Sequence, residues 1–294
     1  MTDIKHLSRS SSTTPRISGA RPHWNPSQVA LYFALIGISI VFCLPFLWLV
    51  TTSLKPPAEV FSSSWIPSEI HTKNYSDVFH QAPVGVWLRN SLMISVLSAV
   101  TVVASSSIVA FGFAHLRFRG RAPLFALVIG TYMAPGAVTM IPTFLVWNRL
   151  HLVGTYYPLW AGNLFGSAFY IFMLRQFFLT LPRDLIDAAR VDGAGFVRIF
   201  VGILLPLMKP ALVAVALFEF QAKWNDFITP LIYINKPSMY TMSLGLASFK
   251  TDQGPPNWSL WMAASVIFTI PMIVIFFCAQ RFFIEGIATT GSKG

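Results

Sequence analysis

Long apolar blocks alternate with short polar stretches along this chain, and the block lengths decide the first question. Six blocks run roughly over residues 29–54, 91–114, 122–147, 157–181, 206–234 and 258–284. Each is as long as, or longer than, the ~20 residues an α-helix needs to cross a hydrocarbon core of ~30 Å. The pattern predicts an all-α polytopic membrane protein with six transmembrane helices in one domain, residues 27–294. Pro135-Gly136 and Pro142 interrupt the third block, Pro230 the fifth, and Pro45 lies near the far end of the first. Such residues are tolerated in spans where neighbouring helices or water satisfy the freed carbonyls. Either packing or hinge motion would account for them.

Residues 1–26 break the pattern. They are polar, basic and rich in Ser and Thr between Ser8 and Thr14, and cannot form a core, so a flexible tail is expected. The block that follows is too long for the apolar part of a signal peptide and lacks a small-residue cleavage site. It reads as a first, uncleaved span.

Composition sharpens this. Of 294 residues 54% are hydrophobic and 11% charged, with a mean hydropathy of +0.61. A soluble domain carries about a quarter charged residues. The formal charge of +10 would make nucleic acid the first suspect in a soluble chain, but its distribution along the loops points elsewhere. Six spans put both termini on one side. That side collects 14 of the 21 basic residues, including Arg117, Arg119, Arg121, Arg183, Arg190 and Arg198, against five acids. The other side holds seven basic and six acidic residues. The inner face nets about +9 and the outer about +1, so the preference of Lys and Arg for cytoplasmic loops places both termini inside. The charge sets topology, and no nucleic acid partner is expected. Cys43 and Cys278 fall in apolar blocks and read as membrane-buried thiols rather than a disulfide.

The cytoplasmic stretch from Leu181 to Pro206 is the most informative. Pro182 is placed to open a helix, and Asp184 and Asp187 sit near its N-terminus, where carboxylates are favoured. Ala188 and Ala189 keep one face low for close approach by another surface. Gly193 and Gly195 allow a sharp break with positive φ. Phe196, Ile199, Phe200, Ile203 and Leu204 then recur at helical spacing, with Arg198 on the other face. A short helix-turn-helix at the inner membrane surface is predicted, either a membrane-hugging connector or a docking knob.

This stretch resembles the EAA loop of ABC importer permeases, whose pattern is roughly E-A-A-x-x-x-G followed further on by L-P. Here it reads Asp187-Ala188-Ala189, Asp192, Gly193, Ala194, then Leu205-Pro206. Asp187 stands where the family usually carries Glu, so the charge is kept with a shorter reach. The chain as a whole is similar to carbohydrate-importing permeases of the maltose-transporter type, in particular the six-helix partner. Matching stretches are Trp65-Ile-Pro67 with Asn74-Tyr75, Asn90-Ser91, Phe118-Arg-Gly-Arg121, and Met133-Ala-Pro-Gly136 with Ile141-Pro142. Trp224-Asn-Asp-Phe227 with Pro230-Leu231 and the tail from Phe283 to Gly294 complete the set, in the family's order.

The resemblance implies a MetI-like ABC importer permease fold with a cytoplasmic coupling helix-turn-helix over 182–205. It implies residence in the cytoplasmic (inner) membrane of a prokaryote. It also implies a second permease subunit, in a heterodimer, two ATP-binding cassette subunits that dock on Asp184, Asp187, Ala188, Ala189, Asp192, Gly193 and Ala194, and an extracytoplasmic solute-binding protein that delivers a sugar or polyol. ATP and Mg would be used by the partner subunits, with no cofactor in this chain. The motifs agree: no G-x-x-x-x-G-K-[ST] loop, H-E-x-x-H, C-x-x-C or G-x-S-x-G occurs, and the six histidines are scattered without metal-ligand spacing. A transport subunit rather than an enzyme is expected.

Within the near-neutral spans, Glu219 and Lys223 lie i,i+4 on the fifth helix and can pair. Ionisable groups at this depth face protein or water. They form an internal salt bridge or, beside Trp224 and Asn225, line a cavity that meets substrate hydroxyls. Tyr170, Trp160 and Trp224 could stack on sugar rings. Two other classes remain in view: an ion-coupled secondary transporter of a small polar solute, which needs more intramembrane ionisable groups and usually repeats, and a membrane enzyme or channel, for which no catalytic constellation is present.

Overall fold

In a computed structural model, residues 26–252 and 257–291 are described, with side chains for 26–248 and 257–280. The expected tail, residues 253–256 and the side chains of the Phe283–Gly294 stretch lie outside these. Every regular element among the described residues is helical. Three helices are long and apolar enough to span a membrane singly: α1 (Pro26–Ser53), α3 (Val84–His115) and the Trp258–Gln280 part of α14 (Trp258–Gly291). Three bent pairs bring the number of spans to as many as six. Most of α1 belongs to a unit ending at Leu47, and everything from Trp48 onward to a second. In α1 the apolar side chains are exposed throughout residues 31–47.

The third predicted span is two helices, α4 (Arg121–Tyr132) and α5 (Gly136–Arg149), meeting at 99°. Pro135 caps α5 in an extended conformation, so the chain turns where a proline ring blocks helical continuation. Pro142 lies inside α5 without interrupting it. The fourth span opens with α6 (Tyr157–Trp160) and a 3-10 turn (Ala161–Phe165). Gly166, at φ +82, then redirects the chain into α7 (Ala168–Thr180).

Beyond α7 come α8 (Arg183–Val191), α9 (Phe196–Ile199), a π turn (Phe200–Leu204) and α10 (Leu205–Leu207). A 78° bend leads into α11 (Lys209–Trp224). Pro206 and Pro210 lack the amides that would carry an ordinary helix through this bend. The expected interruption at Pro230 is displaced. The helix stops at Trp224, and Pro230 sits buried inside the short α12 (Ile228–Tyr233). The break comes from polar side chains: Asn225 donates to the Gln221 carbonyl at 2.9 Å, and the Asp226 carboxylate accepts the Thr229 amide at 3.0 Å, closing the turn that leads into α12.

α3 is the hub, packing chiefly on α11 and α7. Its buried face carries Ser91, Ser95, Ser98, Ser106 and Ser107, small residues of the kind that let membrane helices approach closely. It also starts seven residues earlier than the sequence predicts. Its polar first turns are satisfied from outside: Trp87 donates to the Pro237 carbonyl at 3.0 Å, and Asn90 to Tyr240 at 3.0 Å. The Ser91 hydroxyl accepts the Met242 amide at 2.7 Å. The polar stretch between α1 and α3 is likewise structured. It holds α2 (Lys73–Gln81), and Asn74 donates to the Ser53 and Lys55 carbonyls at 2.8 and 3.0 Å. Glu59 accepts from the Ser68 hydroxyl and amide, which holds its carboxyl below the usual range.

One glycine fixes this outer layer. Gly245, in α13 (Met242–Asp252), lies so close to Trp87 that a Cβ would come within 2.3 Å of the indole. Gly245→Ala is expected to lower stability by about 1–3 kcal/mol through overpacking, read as a lower unfolding midpoint in detergent. Gly130→Ala, where a Cβ meets nothing within 4 Å, should leave the midpoint unchanged.

Candidate functional site

Two regions carry the polar chemistry. The first is the predicted helix-turn-helix. α8 ends in a Schellman arrangement. Gly193 takes φ +79, its amide donates to Arg190 at 3.0 Å, and the Ala194 amide reaches back to Ala189 at 2.9 Å. Only Gly193 uses the left-handed region; Gly195 has φ −72.

The two faces of α8 differ sharply. Ile186 and Ala189 are buried in a core shared with Phe111 and Ala114 of α3, Tyr170, Leu174 and Phe178 of α7, and Ile199 and Leu204 beyond the turn. Asp184, Asp187, Ala188, Asp192 and Gly193 are exposed, and Ala194 is half-buried. The two alanines therefore do opposite jobs. Ala188 lies on the exposed face, whereas Ala189 is packed into the core. Asp187 lies 3.6 Å from Arg190 in an exposed i,i+3 pair, a geometry worth well under 1 kcal/mol and readily exchanged for another partner.

The second region lies around α11, where the structure separates the five residues assigned to a substrate pathway. Glu219 and Lys223 do not pair. Glu219 is 6% exposed, and its carboxylate accepts the Ser98 hydroxyl at 2.7 Å and the Asn163 amide at 2.6 Å. Tyr170 brings its hydroxyl to the same carboxylate and is itself buried. Trp224 is fully buried between Phe220 and Phe268, with ring centroids 5.6 and 5.3 Å away, and donates to the Phe268 carbonyl. It has no free face for a sugar ring. Asn225 is exposed at the helix end.

Lys223 turns instead to an open cavity of about 520 Å³. Thr139 and Thr143 of α5 and Thr229 and Tyr233 of α12 also line it. No carboxylate pairs with Lys223 among the described residues. Sequence reasoning missed Ser98, Asn163 and these threonines. The available signal was the pair of helix breaks at Met133–Gly136 and Asn225–Phe227, since discontinuous helices build binding sites in transporters.

The polar cluster makes a distinct prediction. Glu219→Ala leaves the buried Ser98 hydroxyl without its acceptor, at about 1–3 kcal/mol, leaves the half-buried Asn163 amide only Ser98 to donate to, and should reduce folded yield and unfolding midpoint. Glu219→Gln keeps an acceptor oxygen and should retain most of both. If Gln proves as damaging as Ala, the negative charge rather than the hydrogen-bond geometry holds the cluster.

Comparison with known proteins places these features in context. Residues 29–288 match the family of binding-protein-dependent transport system inner membrane components. The chain is 33% identical to the osmoprotective compounds uptake permease protein GgtD of Synechocystis sp., over 90% of this chain and 92% of that protein. It is equally similar to the arabinooligosaccharides transport system permease protein AraQ of Bacillus subtilis, at 33% over 93% and 98%. The sn-glycerol-3-phosphate transport system permease protein UgpE of Yersinia pestis is 33% identical over 86% and 92%. A chain of a bacterial ABC transporter involved in the import of the acidic polysaccharide alginate shares the fold, with a TM-score of 0.79 and 22% identity over 90% of this chain and all of that one.

Proposed function

This chain belongs to the family of binding-protein-dependent transport system inner membrane components, and from that premise we propose that it forms half of the pore of an ABC importer for a sugar or related polyol. In this reading a second permease subunit completes the pore, and two ATP-binding cassette subunits engage the exposed face of α8. A solute-binding protein delivers substrate from outside, and both termini are cytoplasmic. ATP and Mg serve the ATPase subunits, and this chain supplies no hydrolytic chemistry.

The observation that carries the reading is the division of α8 into two faces. Ile186 and Ala189 join it to the inner ends of α3 and α7, while Asp184, Asp187, Ala188 and Asp192 face outward. A helix so built passes a pull on its outer face into the core of the span bundle instead of bending away. Gly193 sharpens the joint, since a β-branched residue at φ +79 would strain the backbone and relax the turn.

For substrate, the cavity beside Lys223 supports a hydroxyl-rich ligand. Thr139 and Thr143, whose hydroxyls donate to the Gly136 and Thr139 carbonyls, offer acceptor oxygens, and Thr229 and Lys223 add polar groups, on two broken helix pairs, α4–α5 and α11–α12. Relatives named for arabinooligosaccharides and for osmoprotective compounds are consistent with that chemistry.

The test is ATP-driven uptake in proteoliposomes holding the assembled importer and its binding protein, with a panel of sugars and polyols. Asp187→Lys should reduce uptake at least tenfold while the chain still inserts and assembles with the second permease. Asp187→Glu, which restores the usual family residue, should retain uptake. Uptake that survives inactivation of the ATPase subunits would overturn the ABC reading, and normal uptake by Asp187→Lys would overturn the coupling role of α8.

A further inference from the structure

A second cavity, of about 180 Å³, lies where α3, α7 and α8 come together, and its lining is unusually basic. Arg117, Arg121, Arg183 and Arg190 all border it, together with His115, against a single acid, Asp187. Asp187 is already shared with Arg190 at 3.6 Å, and Arg121 donates to the Leu116 carbonyl at 3.3 Å. Arg117 and Arg183 have no carboxylate partner among the described residues. Four guanidinium groups around so small a space repel one another, and an enclosed anion relieves that repulsion.

Two further observations point to a ligand. The Nε2 of His115 is buried and has no hydrogen-bond partner, although its ring is held edge-on against Phe178 at 5.7 Å. A buried polar atom left unpaired costs about 1–3 kcal/mol. The N-terminus of α8, where Arg183 sits, is capped by no side chain, so its free amides add positive potential on the same side. The guanidinium fork matches tetrahedral oxyanions with two parallel hydrogen bonds, which favours phosphate over a monovalent halide.

We propose that this cavity is a phosphate site. The phosphate comes from an anionic phospholipid headgroup or from free inorganic phosphate. The headgroup has the easier access, because spans end here and Leu179, which lines the cavity, stands 41% exposed where an acyl chain can lie against it. Basic recesses between spans at a membrane surface are suited to such headgroups. A bound phosphate also bridges the loop after α3 to α8, so its occupancy stiffens the joint described above.

The test uses the assembled importer in detergent and native mass spectrometry, with phosphatidylglycerol, phosphatidylcholine and inorganic phosphate as separate probes. Phosphatidylglycerol should bind this chain at least tenfold more tightly than phosphatidylcholine. Arg117→Gln/Arg183→Gln should erase that preference while phosphatidylcholine adducts stay as they were. Arg117→Gln alone, an exposed loop position, should weaken it about threefold and serves if the double variant fails to assemble. Retention of inorganic phosphate by lipid-depleted complex, lost in the same variants, supports the site with free phosphate as its source. Absence of any phosphate-bearing adduct in the assembled importer, as when a partner carboxylate fills the cavity, overturns the proposal, as does binding unchanged by both substitutions.

Discussion

A carboxylate at membrane depth must be enclosed by donors, and the enclosure of Glu219 sets the arrangement of the central helices. Its oxygen takes hydrogen bonds from Ser98 on α3 and from Asn163 in the turn that opens the fourth span, with Tyr170 of α7 alongside. Three stretches far apart in sequence, α3, the fourth span and α11, are thereby fixed to one point. Because the alternative is an unpaired charge in a low-dielectric interior, the register of α3 against α11 and of the Ala161–Phe165 turn against both has little freedom. The serine-lined face of α3 makes this possible by letting the helices come close, with Ser105 and Ser106 extending the polar contacts to Asn163 and Ser167.

From that fixed centre the two candidate regions point in opposite directions. Below it, the apolar cluster from Phe111 to Val215 carries α8 on its surface through Ile186 and Ala189. Above it, α11 stops at Trp224, and Lys223 is released toward the cavity between α5 and α12 because Glu219 is engaged elsewhere. The same side chain that ties the core together thus leaves Lys223 free to face the cavity. Displacement of α8 has a continuous path of packed side chains to the cavity, through α7 and α3 to α11.

Much of this was legible in the sequence, for physical reasons that also explain the failures. Apolar block length gives span number, since the hydrocarbon thickness is fixed. The helix-turn-helix followed from Gly193 and from the spacing of Ile199 and Leu204, which are local properties. Partner choice was not legible. Helical spacing brought Glu219 and Lys223 together, yet Glu219 found Ser98 and Asn163, 121 and 56 residues away. Proline was read as the breaker of the fifth span, yet Asn225 and Asp226 break it through side-chain bonds. Trp224 looked available for stacking because sequence does not reveal that Phe220 and Phe268 cover both its faces. The start of α3 was set too late for the same reason: the apolar block opens only at Ser91, and sequence does not reveal that the segment from Ser238 to Met242 satisfies the polar residues of the earlier turns.

The central claim is mechanical: α8 and the inner ends of α3 and α7 move as one body. Pulsed electron spin resonance between labels at Val191, in α8, and Ile108, in α3, both exposed, reads that directly in the assembled importer once Cys43 and Cys278 are replaced. The account predicts that this distance stays the same with and without ATP, while the distance from Val191 to the equivalent helix of the partner permease shortens when ATP binds. A Val191–Ile108 distance that changes as much as the distance between subunits would contradict it.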